Sequence, residues 1–383
     1  MRRFAALLAL TTIALASEHE ARRSSLKKLF PGESIVLEGA TEPEKGSIRL
    51  GFLQDPNFYY LTGWTEPGAK ILLTPERDIL FLPETSPDRL RYTGAKSQPG
   101  DPSLARSTGF DKILPLAKFE QTLKSTTVAA ERVAESIQKL RMAKSPDEVA
   151  AIQRAADVSI QAHLAAWRRA APGLREYQIA ATMRHAYLDA GCERDAYEPI
   201  VAAGLNAVTL HYLKKSATLQ AGQLLLMDVG AECASHTADI TRTIPLSGKF
   251  TPRQRELYDI VLGAQNAAIA AAKPGVPFER LNEIAREYLR KHGKSKSGKP
   301  LDEYMTHFLG HGVGLEVHDP TDRKAPLVEG NVITIEPGVY IPEEKTGIRI
   351  EDMIVITRDG ARNMTAALPR EAEAIENFLA QRN

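Results

Sequence analysis

An excess of charge of one sign is missing from this sequence. Its 49 basic and 48 acidic residues leave a formal net charge of +1. Binding nucleic acid needs a clustered basic excess, so nucleic acid is not expected as a partner. Cysteine is nearly absent. Cys192 and Cys233 alone do not make a disulfide framework; they read as two unpaired small hydrophobes, with pairing left open. Long apolar runs are missing with one exception, Phe4 to Ala16, which is shorter than the ~20 residues a spanning helix needs. Arg2 and Arg3 precede this run and Ala14-Leu15-Ala16 ends it, which is the pattern of a cleavable export signal over residues 1–16. The expectation is an exported protein, periplasmic or secreted, with no stable membrane insertion after signal cleavage. No cysteine at the cleavage point offers a lipid anchor. Several chemistries are also missing: there is no G-x-S-x-G elbow, no P-loop, and no G-x-G-x-x-G after a strand. "HGVGLEVH" does not match the H-E-x-x-H helix of single-zinc proteases. No internal repeat is present, and the one biased tract is the basic loop His292–Lys299.

What is present suits a large core. The chain has 383 residues, 43% hydrophobic and 25% charged, which is comfortable for two soluble domains. From Ile48 to Pro83 it reads as short strands and turns, with "ILLTPERDILFLP" as two β-rich runs around a turn. Helix formers mix with short apolar runs from Asp111 to Gln138, so the first portion, residues 17–143, is expected to be a small α/β domain. A boundary falls near Lys144, where Ser145-Pro146-Asp147-Glu148 combines a cap, a first-turn proline and a capping-box glutamate. The helix it opens should stop at Pro172-Gly173. Further helices are expected over Glu176–Ala190, from Thr251 to Pro274-Gly275, and over Phe278–Lys291. Strand-like runs lie at Leu224–Val229, Asp239–Ile244, Val332–Ile335 and Ile348–Ile356. Grouped helices and closely spaced strands predict an α+β fold with a largely antiparallel sheet over residues 144–383.

Acidic residues in apolar strands carry the chemical signal. Asp228 ends an apolar run, where an unpaired carboxylate is costly to bury, and Asp239 follows eleven positions on. Two strands joined by such a loop can set both acids side by side, where they repel unless they share a proton or a cation. "HFLGHGVGLEVHD" places His307, His311 and His318 in a glycine-rich stretch that lets backbone approach a ligand. Glu336 in "VITIEPGVYI" and Glu351 in "GIRIEDMIVI" each interrupt a β-branched run, where chance charge is least expected. Asp228, Asp239, His311, Glu336 and Glu351 together form an oxygen-rich set that two divalent cations would neutralise. Hard donors suit manganese, with cobalt or zinc as substitutes, and argue against copper or iron–sulfur chemistry. Two such cations can bridge a hydroxide and polarise a carbonyl, so the expected reaction is metal-assisted hydrolysis.

The ordered motifs "VAAGLNAVTLHY", "LLLMDVGAECASHTADITRTI", "HGVGLEVHD", "TIEPGVYI" and "GIRIEDMIVIT" resemble the Xaa-Pro aminopeptidase (aminopeptidase P) and prolidase family of pita-bread-fold dinuclear metallopeptidases. The resemblance covers Lys144 to about Thr357. It implies a pita-bread (creatinase/aminopeptidase) catalytic domain in which Asp239 and Glu351 bridge the metals. Asp228 would bind one ion, and His311 and Glu336 the other. It implies that Glu336 carries the proton to the leaving nitrogen, and that His211, His307 and His318 contact substrate and shape the proline pocket. Tyr340 and Arg349 would orient the ligands. "DPNFYYLTGWTEPGAKILL" followed by "LFLP" resembles the N-terminal domain of the aminopeptidase P members, which helps restrict the site to short proline-containing peptides. Asn57 departs from the acidic residue common at its place, and His236 from the usual tyrosine. The implied substrate is a peptide with proline second. The alternatives are a prolidase cleaving Xaa-Pro dipeptides, for which "HDPTDRKAP" is ambiguous between Asp322 and Arg323, and a non-catalytic peptide-binding module. Members are often dimers or tetramers, so a homo-oligomer is among the expectations.

Overall fold

A computed structural model describes residues 18–42, 51–123 and 126–382; the expected export signal lies outside the described residues. The chain divides into two compact units, Met1–Arg141 and Met142–Asn383. No helix among the described residues is long and apolar enough to cross a membrane.

The first unit is built on one four-stranded sheet, β1 (Ile35–Glu38), β2 (Lys70–Leu73), β3 (Asp78–Leu82) and β4 (Lys112–Pro115) in that order. β2 and β3 form the expected hairpin, antiparallel from Lys70↔Phe81 to Leu73↔Asp78, while β3 and β4 run parallel. A helix at Pro56–Thr62 is capped by the Asp55 side chain, which accepts from the Phe58 amide. On it, Asn57 Oδ1 accepts a 2.7 Å bond from Arg141, so the residue that departs from the usual acid still holds a guanidinium.

In the second unit the expected helix start is realised in full. Ser145 accepts from the Glu148 amide, the Glu148 side chain returns to the Ser145 amide, and Pro146 opens a 24-residue helix to Arg169. Ile152, Ala156, Ile160, His163 and Trp167 recur at helical spacing on its buried face. The same reciprocal cap, Thr251 with Gln254, opens Pro252–Ala271. Helices Glu176–Asp189 and Phe278–His292 complete the group.

Against the helices lie short sheets in which every pairing is antiparallel. β6 (Ile200–Ala203), β7 (Leu224–Val229) and β10 (Ile240–Pro245) are ordered β10-β7-β6. β11 (Val332–Ile335), β14 (Asp352–Thr357) and β15 (Gly360–Asn363) are ordered β11-β14-β15, and β12 (Gly338–Ile341) pairs with β13 (Thr346–Arg349). β5 (Arg194–Asp195), β8 (Ala231–Cys233) and β9 (His236–Thr237) make a small outer sheet. This is the α+β pita-bread fold that the motifs implied.

Two expectations need correction. The run Ile348–Ile356 is not one strand: β13 ends at Arg349 and β14 begins at Asp352, because each pairs with a different partner. At the handover the Glu351 amide leaves the ladder and donates to Thr241 O on β10. Cys192 and Cys233 are joined in a disulfide, not unpaired. The backbone bond from Glu193 N to Glu232 O already sets the two segments side by side.

Candidate metal centre and catalytic cleft

The site collects at points where the strands break. Asp228 is the penultimate residue of β7, with Thr241 opposite it on β10 and Ile200 opposite on β6. Asp239 lies just before β10 starts. Its approach requires a glycine at 230, where a Cβ would meet Ala238 O at 1.7 Å. Glu336 occupies the break between β11 and β12, and Glu351 the break between β13 and β14. Both amides leave their ladders: Glu336 N donates to Leu309 O and Glu351 N to Thr241 O. A strand that breaks at a carboxylate frees that side chain to turn inward.

Nine of the ten residues expected at a site line one cleft of about 620 Å³, and the tenth, Tyr340, stands behind them. Asp239, His311 and Glu351 offer one ligand atom each, all within 4.8 Å of one another. His311 Nδ1 lies 3.0 Å from Gly312 O, which can only accept, so Nδ1 carries the proton. The lone pair of Nε2 then faces Asp239 Oδ2 at 3.4 Å and Glu336 Oε1 at 3.5 Å. Gly312 follows because a Cβ there would sit 2.7 Å from Asp319 O.

Four carboxylates gather around the guanidinium of Arg349. Arg349 donates to Asp228 Oδ2, to Tyr340 Oη at 2.7 Å and to Thr241 Oγ1 at 3.1 Å. Tyr340 in turn bonds His307 Nε2 at 2.8 Å, while His307 Nδ1 donates to Phe308 O at 2.7 Å. Burial, then the charge of Arg349, pushes His307 down to about 4, so it is neutral at pH 7. Burial raises the Asp228 carboxyl, but Arg349 and the Tyr197 hydroxyl outweigh it and hold that acid below the usual range. The other three go the opposite way. Burial and then Asp228 and Glu336 push Asp239 well up; burial and then Glu351 raise Glu336; burial and then Asp239 raise Glu351.

These groups fit a pair of divalent cations. Glu351 Oε2 accepts from Thr241 Oγ1 at 2.6 Å, but its other oxygen is buried with no hydrogen-bond partner. A buried carboxylate oxygen without a donor, surrounded by three more acids, calls for a cation. Hard oxygen donors with one imidazole are a set that divalent ions accept. His211 and His318 are exposed at the mouth, where the His318 ring stands 4.1 Å from that of His311.

Three contributors escaped the sequence reading. Tyr197 Oη lies 2.5 Å from Asp228 Oδ1 and also bonds Asp239 Oδ1. Thr241 braces Glu351, and Thr334 Oγ1 accepts from His311 N at 3.1 Å. Thr241 was readable, since two-residue alternation puts it on the face of Asp239; Tyr197 sits ahead of β6 without any periodic signal. His236, buried, pairs with Cys233 across the β8–β9 turn and stays out of the cleft lining.

The family model described as metallopeptidase family M24 matches residues 150–358, and that of the aminopeptidase P N-terminal domain matches residues 19–134. An Xaa-Pro dipeptidase of Pyrococcus horikoshii is 34% identical over 84% of this chain and 94% of its own. An Xaa-Pro aminopeptidase of Haemophilus influenzae is 32% identical over 94% of this chain and 97% of its own. The solved structure of zinc-substituted E. coli aminopeptidase P in complex with product superposes with a TM-score of 0.86 at 27% identity, covering 96% of this chain and 99% of that one.

Proposed function

This chain belongs to metallopeptidase family M24, with an N-terminal domain of the aminopeptidase P type, and we propose that it releases the residue preceding proline from the N-terminus of peptides. It is a metal-dependent hydrolase. The observation that carries the reading is the convergence of Asp228, Asp239, His311, Glu336 and Glu351 on one cleft, with a Glu351 oxygen buried and unpartnered.

Asp239 and Glu351 would bridge two cations, Asp228 would hold one, and His311 with Glu336 the other; the oxygen-rich donors favour manganese, with cobalt or zinc able to substitute. When bound, the cations supply Lewis acidity and lower the pKa of a water towards neutrality. The rest falls to the chain. Glu336 accepts the proton of the attacking water and delivers it to the departing proline nitrogen. Arg349, bound to both Asp228 and Tyr340, fixes the acid and the phenol, and through Tyr340 it sets the neutral His307. His211 and His318, at the mouth, contact the substrate.

Dipeptide cleavage is the second reading, and one observation favours it. Arg323 lines the cleft with its guanidinium 4.2 Å from the Phe308 ring centre, whereas the exposed Asp322 caps Lys324 and Ala325. A cation there could hold a dipeptide's terminal carboxylate. Hydrolysis of Xaa-Pro against Xaa-Pro-Yaa peptides with added manganese decides between them: cleavage of dipeptides alone would overturn the aminopeptidase reading. The Cys192–Cys233 disulfide supports an exported protein, since such bonds persist in oxidising compartments.

A further inference from the structure

A buried ion pair beside the cleft has no part in the chemistry described so far. Lys144 Nζ donates to Asp319 Oδ2 at 2.8 Å, with the side chains 2% and 1% exposed. Burying two charges is expensive, and an apolar pair of similar volume commonly stabilises a fold as well. The pair therefore needs another explanation, and its surroundings supply one.

Both ends are anchored to backbone. The Lys144 amide donates to Gly330 O at 2.9 Å, and Gly330 adopts φ 87° with Lys144 O 2.6 Å from where a Cβ would stand. Asp319 closes a turn: its Oδ1 accepts from Glu316 N at 3.2 Å, and its amide donates to Gly312 O at 2.9 Å. Gly312 bridges Asp319 on one side and Ile333 on the other, so the backbone next to His311 is held between β11 and the returning chain. Gly314 leaves room for the pair, since a Cβ there would lie 2.7 Å from Asp319 Oδ2 and 3.0 Å from Lys144 Cε. His318 is the residue immediately before Asp319, and its ring stands against His311.

We propose that Lys144 and Asp319 are positioning residues: the ion pair pins the return of the 312–319 loop, and so fixes His318 in the cleft where substrate binds. The inference rests on the reading of His318 as a substrate contact. Its consequence is a pair that acts on substrate affinity more than on turnover.

Lys144→Met/Asp319→Leu removes both charges together and is expected to fold cooperatively. Its kcat/KM on an Xaa-Pro-Yaa peptide should fall by about tenfold, carried mainly by KM, and adding His318→Ala should cost little more because the two changes remove one shared interaction. Additive losses, or an unchanged KM, would overturn the proposal. Asp319→Asn, which keeps the side chain's shape, serves the same comparison if the double variant does not fold. Hydrogen exchange reads the loop without catalysis: in Lys144→Met, which keeps the Asp319 oxygen that accepts from the Glu316 amide, the Glu316 and Asp319 amides should exchange about tenfold faster. Unchanged protection sinks the proposal even if wild type cleaves no proline-containing peptide, an outcome that would instead sink the function proposed above.

Discussion

Two neighbouring acids, Glu351 and Asp352, are both buried and meet opposite fates. Glu351 faces the cleft, in the company of three carboxylates, and its carboxyl is driven well above the ordinary range by burial and then by Asp239. Asp352 faces the other side of β10, where burial is outweighed by Arg242 and its carboxyl falls below that range. Arg242 there uses all five of its N–H groups, on Asp352, Pro369 O, Thr241 O, Glu351 O and Leu368 O. One face of the sheet balances its own charge and is scaffold. The other is left with more carboxylates than Arg349 can neutralise, and that excess marks a site built for something brought from outside.

The largest effects should separate the two faces. Glu336→Gln is expected to lower kcat by about 10²–10⁴-fold, the range for a lost general base, with the metal-free protein no less stable in urea than wild type. Asp239→Asn should remove bound metal, read by elemental analysis, while raising the stability of the metal-free protein, because folding then no longer has to drive a buried carboxyl well above its ordinary range. If metal-free Asp239→Asn were instead less stable, the cleft acids would be scaffold and the contrast would fail.

On the opposite face Arg242→Met should cost about 3–5 kcal/mol of unfolding free energy, since Asp352 keeps only the cation of Arg370, 3.5 Å away, and the four carbonyls that Arg242 served lose their donor. Arg242→Met/Asp352→Leu should recover the part of that loss due to the unbalanced charge, though not the part due to the four carbonyls. Metal content should hold in whatever fraction stays folded. Recovery in the double variant is the sharper test, because it isolates charge imbalance from lost packing.

A smaller effect follows from pH. His163, buried on the helix that covers β10, sits 3.1 Å from Ile240 O and is pushed down to about 3 by burial and then by Arg242. In the unfolded chain it protonates near 6.5. Between those values the unfolded state binds the extra proton, so stability falls as pH drops below about 6.5, by about 2 kcal/mol at pH 5. His163→Gln, which keeps a donor for Ile240 O, should flatten that part of the profile. An unchanged slope would assign the acid sensitivity to other groups.

Much of this contrast was legible beforehand, and the exceptions have physical causes. Reciprocal caps such as Ser145 with Glu148 are local, so the helix starts could be read directly. The metal-facing acids stood out because a carboxylate in a β-branched run demands a reason. The break at Glu351 did not stand out: "GIRIEDMIVIT" has the composition of one strand, and only its partners, β12 and β11, divide it in two. The Cys192–Cys233 pairing was equally hidden, because nothing local reports that Glu193 and Glu232 will be hydrogen-bonded neighbours. Arg242 reads as an ordinary charge until the chain around Leu368 folds over it.

The finest comparison sets one hydroxyl against another. Tyr197 Oη bonds both Asp228 and Asp239 on the cleft face, while Thr365 Oγ1 donates to Asp352 Oδ1 at 2.7 Å on the other. A hydroxyl has one proton, so Tyr197 can donate to only one of its two acids. The second contact is satisfied only if Asp239 itself carries a proton, as its raised carboxyl allows before cations bind. Displacing that proton turns the contact between Asp239 and the phenol into an acceptor facing an acceptor, unless the hydroxyl turns towards it. Tyr197→Phe should therefore change metal affinity by only about fivefold, near the 1 kcal/mol worth of one net hydrogen bond, and leave KM alone. Thr365→Val should cost a similar 1 kcal/mol or so, but as folding free energy with metal affinity intact. Calorimetric metal titration and urea unfolding on both variants measure the two losses side by side. If Tyr197→Phe lost stability and kept its metal affinity, the phenol would belong with the scaffold, and the line between the faces would have to be drawn inside the cleft.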